Sequence, residues 1–432
     1  MTRIPDLPGQ LMERGSAQDQ WLRGHVANLC GLPHDRFPGA QPVSFSERDL
    51  DRLVESDYWV CEKSDGVRVL LVILTNEDTK EQLVHIVDRH NSYRCIEGIY
   101  FPHFESPSFP LRSTIIDSEL VIDVDPATGK ETLRLLCFDC LVADGQNVMG
   151  RSLEKRYGRL KSHFFEPYAR MKRERPEVIR LHPFDIKVKD VNLSYHLEKV
   201  FKMDIPRLEH GNDGLIYTPV ATPYVPGTDK NILKWKPPSE NSIDFKLVLR
   251  FPPSKAPGKR HEPDLHARPI FALHVWAGGP KYEPYDTMHV TDEEWDQMKV
   301  SGEQYDERIV EVHWDAELEG WRMMRFRDDK PHGNHKTIVE NIISSIADGV
   351  EKDVLLARST QIREAWKARH TPGARPPAPT GAPPPPRQAP PPLQQQSAVR
   401  SPAAPSIRRF GPLRPSPMSK VGGPAMYAGF RR

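Results

Sequence analysis

The chain has 432 residues, with 60 Lys and Arg against 59 Asp and Glu, enough for two or three domains with buried cores. The formal charge of +1 hides a division: residues 371–432 hold nine basic and no acidic residues, which leaves −8 on the first 370. The opening segment lacks the apolar core of a signal peptide and no run approaches membrane-spanning length, so an intracellular soluble protein with no membrane partner is expected.

Residues 1–57 read as an irregular start plus one helix, with Ser46 as N-cap in "SFSERDLDRLVES". From residue 58 to 237, β-branched and apolar runs alternate with turn signals: "YWVCEK", "VRVLLVIL", "LVHIVDR", "STIIDSELVIDV", "LRLLCFDCLVA", "GLIYTPV" and "NILKWKP". Helical patterns fall at "SLEKRYGRLKSHFFEPYARMK" and "DVNLSYHLEKVFKM". The pattern predicts an α+β domain built on antiparallel strands. "KPPSENS", at 236–242, marks a boundary. Five more strand-like runs follow it, "IDFKLVLRF", "PIFALHVWA", "PYDTMHV", "RIVEVHWD" and "GWRMMRFR". The helix "TDEEWDQMKV" interrupts them, and Thr291 and Glu294 give it a capping box. Five strands and one inserted helix fit an OB-type barrel. "KTIVENIISSIADGVEKDVLLARSTQIREAWKAR" reads as one long helix or two. The remaining segment holds 17 of the 43 prolines and too few apolar residues to offset the entropy of ordering, and it reads as disordered.

Several stretches carry residues suited to chemistry. In "CEKSDGVRVLL", at 61–71, Asp65-Gly66 reads as a tight turn, with Lys63 ending one strand and Arg68 opening the next. Two converging cations need an anion between them, or a reason for one lysine to be neutral, the form that attacks phosphorus. In "IIDSELVID", alternation puts Asp117, Glu119 and Asp123 on one face, either solvated or forming a cleft floor that holds a metal or a ribose hydroxyl. In "ILKWKP", Lys234 and Lys236 share a face about 7 Å apart, a spacing that a phosphate would bridge. Asp213 in "HGNDGLIYTP" is a metal ligand or a turn residue. "GWRMMRFRDDK" sets Arg325 and Arg327 on one face, as a nucleic-acid surface or a pyrophosphate clamp. Cys137 and Cys140 form a lone CxxC with no second pair at zinc spacing, and read as small strand residues.

The ordered series "EKSDGVR", "DRHNSYR", "DSELV", "CFDCLVADG", "FDIKVK", "DGLIYTP", "LKWKPP" and "RFRDDK" resembles the motif set of the covalent nucleotidyltransferases. Among these it is similar to the mRNA capping guanylyltransferases of the fungal type, in which that activity is a separate alpha subunit; "FPGAQPVSF", at 37–45, adds to the likeness. The resemblance implies a nucleotidyltransferase domain over 1–240, an OB-fold domain over 241–336, a helical segment over 337–370 and a tail from 371. It implies Lys63 as the nucleophile that forms lysyl-GMP, Arg68 on phosphate, and Arg89 with Glu119 on the ribose. Phe138 would stack on guanine with Lys187 near its O6, and Lys234 and Lys236 would hold the α-phosphate. Asp213 would be the metal-linked acid, and Arg327, Asp329 and Lys330 would close over the leaving pyrophosphate. The implied substrates are GTP and a 5′-diphosphate RNA end, with Mg²⁺ or Mn²⁺ as cofactor. The implied partners are an RNA triphosphatase subunit and the phosphorylated C-terminal domain of RNA polymerase II, in the nucleus. An ATP-dependent polynucleotide ligase shares the lysine and the OB domain. A third reading is a catalytically dead OB-containing RNA-binding scaffold.

Overall fold

The computed structural model describes residues 4–371 except 77, 181, 256–261 and 316, so the expected disordered tail lies outside the described residues. Two compact units emerge: Met1–Lys236 together with Val350–Thr371, and Pro237–Gly349. The expected helical segment at 337–370 is divided between them. Its two helices, Lys336–Ala347 and Lys352–His370, break at Gly349, where an added Cβ would lie 2.4 Å from Pro238 Cγ. Val339 and Ile343 of the first helix join the core of the second unit, whereas Leu355 and Ile362 of the other join that of the first. Each helix follows the core its apolar stripe can enter.

The first unit is built on two sheets. The larger has eight strands, with Tyr93–Ile96, Gln82–Asp88, Val67–Thr75, Thr114–Val124 and Glu131–Ala143 adjacent in that order and antiparallel. The smaller has five, including Tyr58–Ser64, Asn212–Pro219, Gly227–Trp235 and Ala40–Ser44 in that order. Its last pair is parallel, as is Asp185–Val188 beside Glu131–Ala143 at the edge of the large sheet. Val67–Thr75 reads as an almost unbroken apolar run because both faces of the large sheet are covered: Val69, Leu71 and Ile73 enter one core, Leu70, Val72 and Leu74 another.

The turn at Asp65-Gly66 does not make the expected hairpin. Tyr58–Ser64 belongs to the small sheet and Val67–Thr75 to the large one, so the chain crosses between sheets there. Gly66 is required by close approach, since a Cβ would meet the Leu120 carbonyl oxygen at 2.4 Å. Ser46 is likewise not the N-cap of its helix. That helix runs Asp49–Glu55, and the Ser46 hydroxyl and backbone N–H both donate to the Asp49 carboxylate in the turn before it.

The second unit has the five expected strands, Ser242–Arg250, Ile270–Gly278, Lys281–Thr287, Ile309–Asp315 and Gly320–Phe326. The first pairs with the second and fourth, the third with the second, and the fifth with the fourth. A parallel bridge from Met288 to Trp321 closes the barrel between the ends of the third and fifth strands. The helix Asp292–Ser301 carries the anticipated Thr291/Glu294 capping box and buries Trp295 against the barrel. This is an OB fold.

Candidate active site

Each of the two sheets of the first unit carries a bulge at the candidate site. In the small sheet Asn212 pairs with Ser64 and Leu215 with Glu62, so Asp213 and Gly214 together oppose the single residue Lys63. Gly214 has φ 137° and its Cα lies against Trp235, leaving 2.0 Å between an added Cβ and that carbonyl oxygen. The Asn212 amide donates to the Lys63 and Gly214 carbonyls and pins the bulge. In the large sheet, Asp117 pairs with Asp139 and Ser118 with Cys137, which leaves Phe138 as the extra residue.

The first bulge assembles a charge cluster. Lys63 Nζ donates to Asp213 Oδ1 at 2.5 Å, and Lys236 Nζ lies 2.6 Å from Asp213 Oδ2. Burial alone would raise the Asp213 carboxyl, but Lys63 and Lys236 together hold it below the usual range. Lys234 is pushed down, first by desolvation and then by the charges of Lys63 and Lys236. Leu233 and Trp235 are buried behind these lysines, and the Trp235 indole N–H donates to the Val350 carbonyl. One carboxylate thus gathers two of three lysines at one end of the sheet.

The second bulge gives an aromatic surface. The Phe138 ring has the Arg68 guanidinium 5.6 Å and the Lys189 ammonium 6.0 Å from its centroid. Arg68 is fixed from behind: its Nε and Nη2 donate to the two oxygens of Asp117 at 2.9 and 2.5 Å, and Nη1 donates to the Ala40 carbonyl. Asp117 also accepts from the Tyr224 hydroxyl, which accepts from the Ala40 N–H. The face of Asp117, Glu119 and Asp123 is therefore not solvated: Asp117 and Asp123 are buried in ion pairs. Glu119, opposite Arg68 in the ladder, has its carboxyl pushed up by burial, against the pull of Lys189, Arg68 and Lys63.

Five expected site residues sit elsewhere. Lys187 is exposed and lies 3.8 Å from Asp123 rather than beside Phe138; the lysine at the ring is Lys189, buried, donating to the Glu62 carbonyl at 2.9 Å and 3.3 Å from its carboxylate. Arg89 follows the strand Gln82–Asp88 and lines a groove with Phe37 and Gln41. Arg327, Asp329 and Lys330 belong to the second unit. There Arg327 forks onto Asp329 at 2.8 and 2.9 Å, and both Arg327 and Lys330 donate to the buried Asp244. Lys189, Tyr224 and Asp244 were not singled out in the sequence, where Asp117 was noted only as part of a carboxylate face; a second lysine in "FDIKVK" was the only visible signal for any of the first three. Cys137 and Cys140 are free and buried, and burial pushes Cys137 up to about 12. Among the described residues no three His, Cys, Asp or Glu side chains gather as a metal cage.

A lysine held by a carboxylate and joined by two more lysines, with a cation-flanked aromatic ring in the same unit and an OB barrel following, defines the chain as a nucleotidyltransferase. Residues 7–238 match the family described as mRNA capping enzyme, catalytic domain, and residues 240–356 its C-terminal domain. The mRNA-capping enzyme subunit alpha of Schizosaccharomyces pombe is 40% identical over 369 residues, covering 85% of this chain and 90% of that one. Those of Yarrowia lipolytica and Saccharomyces cerevisiae are 39% and 35% identical, covering 85% and 84% of this chain and 93% and 87% of theirs. The chain belongs to the mRNA capping enzyme family, and its enzyme class is guanylyltransferase. A solved ATP-dependent DNA ligase from bacteriophage T7, in complex with ATP, is 13% identical with a TM-score of 0.32 over 67% of this chain and 98% of that one, too slight a likeness to bear on function.

Proposed function

We propose that the chain transfers GMP from GTP to a 5′-diphosphate RNA end through a covalent lysyl-GMP intermediate on Lys63. The observation that carries this reading is the cluster of Lys63, Lys234 and Lys236 around Asp213. Lys63 Nζ, after giving up a proton, attacks the α-phosphorus; a P–N bond forms, the bond to the β-phosphate oxygen breaks, and pyrophosphate leaves. A terminal oxygen of the RNA diphosphate then attacks the same phosphorus. The P–N bond breaks and Lys63 is reprotonated. Lys234 and Lys236 balance the charge on the α-phosphoryl oxygens in both steps.

Arg68, locked by Asp117 and Ala40, meets the phosphates without further ordering. Phe138 stacks on the base, and Lys189 takes the role expected of Lys187: its ammonium, facing the ring, donates to the O6 acceptor that guanine has and adenine lacks. Glu119 accepts from the ribose. Arg89 stands outside this group, so its expected ribose contact finds no support in the geometry. Arg327 and Lys330 act on the β- and γ-phosphates, with Asp329 orienting the guanidinium. Asp213 has lone pairs beyond those its two lysines use, and Mg²⁺ commonly takes one or two carboxylates with phosphate oxygens and waters completing its shell, so the donor set fits a divalent ion. Mg²⁺ or Mn²⁺ on Asp213 would neutralise triphosphate charge.

Relatives named as alpha subunits support assembly with another subunit, for which we propose an RNA triphosphatase. The phosphorylated tail of RNA polymerase II as docking partner and the nucleus as location follow from the capping role.

The test is incubation with GTP or ATP labelled at the α-phosphate, followed by a denaturing gel. Label from GTP alone on the wild-type chain, acid-labile and lost in Lys63→Arg, is expected, because arginine keeps the charge but does not deprotonate to attack. Label from ATP in place of GTP would move the assignment to a ligase. An undiminished adduct on Lys63→Arg would remove Lys63 from the chemistry.

A further inference from the structure

We infer that the first unit carries an RNA-acceptor site beside the nucleotide cleft, an arginine-walled groove that holds the phosphates of the first nucleotides of the RNA. The inference rests on the guanylyltransferase reading above. The groove has a volume of about 510 Å³, and its charged lining is Arg14, Arg23, Arg36 and Arg89 against one acid, Asp35. Arg23 is committed to the fold: it donates to Asp19 at 2.9 Å and to the Asn91 carbonyl at 2.6 Å. The other three are exposed, and none has a carboxylate within salt-bridge distance among the described residues. Arg14 is brought in by the segment before the helix Ala17–Leu29, Arg36 by the loop after it, and Arg89 by the turn after Gln82–Asp88. Three separate segments thus converge with like charge on one concavity. That arrangement repels itself unless an anion lies between them.

Two relationships choose the anion. The groove adjoins the backbone that fixes Arg68: Gly39 and Gln41 line it, while Ala40, between them, accepts from Arg68 through its carbonyl and donates from its N–H to Tyr224. An anion in the groove therefore lies one residue's width from the backbone that fixes a phosphate-binding arginine. The acceptor of the second step must approach the α-phosphorus from beside the bound nucleotide, carrying a diphosphate and a chain of phosphodiesters. Arginine forks suit such oxygens, and the Gln41 amide at the rim supplies a donor and an acceptor for ribose or base edges. The lining is four arginines and polar groups with a single apolar ring, Phe37, so charge rather than apolar burial would hold an occupant. The chemistry favours single-stranded RNA.

The decisive comparison is Arg14→Ala/Arg36→Ala against Arg14→Lys/Arg36→Lys and the wild type, all as full-length chains. Binding of a short RNA with a 5′-diphosphate is followed by fluorescence anisotropy without GTP, from low to moderate salt. The alanine pair should bind RNA about tenfold more weakly at low salt, with a log–log salt slope shallower by about 0.7 for each lost phosphate contact on a single strand. The lysine pair should keep most of the affinity. In turnover, KM for RNA should rise while formation of enzyme-GMP from GTP stays within about twofold, since RNA takes no part in that step. Unchanged RNA affinity and slope in the alanine pair would overturn the proposal. So would an equal loss in GTP-dependent adduct formation, which would assign the arginines to GTP phosphates, or a loss confined to binding of a phosphorylated peptide. A wild-type chain that forms no adduct would defeat the guanylyltransferase reading instead, and RNA affinity, measured without turnover, is read separately from it.

Discussion

Lys63 Nζ lies 2.5 Å from Asp213 Oδ1 because a bulge sets Asp213 and Gly214 together against that one lysine. The pair gives Asp213 a folded-state pKa below its unfolded value, through Lys63 and Lys236 prevailing over burial. A depressed carboxylate pKa contributes stability above the unfolded value, about 3.9, that is lost as pH falls through the folded value. Asp213→Asn should therefore be less stable than wild type at neutral pH, and the difference should close under strongly acid conditions. Adduct formation should fall by roughly 10²-fold. Chemical denaturation across pH and single-turnover labelling check the two halves; a stability gap that persists below the carboxylate range would show that the pairing is not its source.

Gly214→Ala tests the bulge itself. Its φ of 137° is strained for any residue with a Cβ, and that Cβ would sit 2.0 Å from the Trp235 carbonyl oxygen. A cost of roughly 2–3 kcal/mol is expected. The displaced Asp213 should lower the rate of adduct formation more than it weakens GTP binding. A variant with wild-type Tm and wild-type labelling would mean that the backbone there adapts freely.

How much of this was readable in advance divides along a physical line. Periodicity carried the strands, because Val69 to Ile73 and the OB runs bury apolar residues at strand spacing. It also paired Lys234 with Lys236 above Leu233 and Trp235. Alternation cannot show a bulge, and the bulges place Phe138 and Asp213; it cannot say to which sheet a strand belongs either, so Asp65-Gly66 passed for a hairpin turn. Motif order named Lys63, Arg68 and Glu119 from neighbours in sequence. Partners distant in the chain, such as Tyr224 on Asp117 or Asp244 on Arg327, left no local signature.

Lys187 and Lys189 are two apart in the sequence, where alternation does not tell them apart; the strand Asp185–Val188 ends between them, leaving Lys187 exposed near Asp123 and Lys189 buried on Glu62. Lys189→Met removes the cation between Glu62 and the cleft, and breaking a buried pair from one side costs about 3–5 kcal/mol. Burial acts to lower Lys189, but Glu62 leads the neighbouring groups that raise it. Its contribution is accordingly full below the unfolded value near 10.4 and is lost only at higher, alkaline pH. Lys189→Met should be destabilised throughout the neutral range, and its preference for GTP over ATP in adduct formation should narrow. Lys187→Met, at an exposed position, should change stability by no more than about 0.5 kcal/mol and leave that preference intact. Reversed results would restore the base contact to Lys187.

Arg327 and Lys330 distinguish the two half-reactions. Both donate to Asp244, which is buried in the OB barrel, so each cation is already positioned before a nucleotide arrives. Asp329 faces Arg327 from the solvent side at 2.8 and 2.9 Å, leaving the guanidinium held edge-on by carboxylates. If these groups act on the β- and γ-phosphates, their work ends when pyrophosphate leaves. Arg327→Ala and Lys330→Ala should then slow formation of enzyme-GMP by roughly 10²-fold while transfer from preformed enzyme-GMP to RNA changes little. Removing Arg327 also leaves Asp244 with one cation fewer, which lowers stability independently of catalysis. Arg327→Lys is the companion variant: it keeps a charge near Asp244 while losing the fork, so it should recover stability and not the rate. Half-reaction kinetics with isolated enzyme-GMP decide the matter, and equal losses in both steps would place this face of the barrel on RNA rather than on the leaving pyrophosphate.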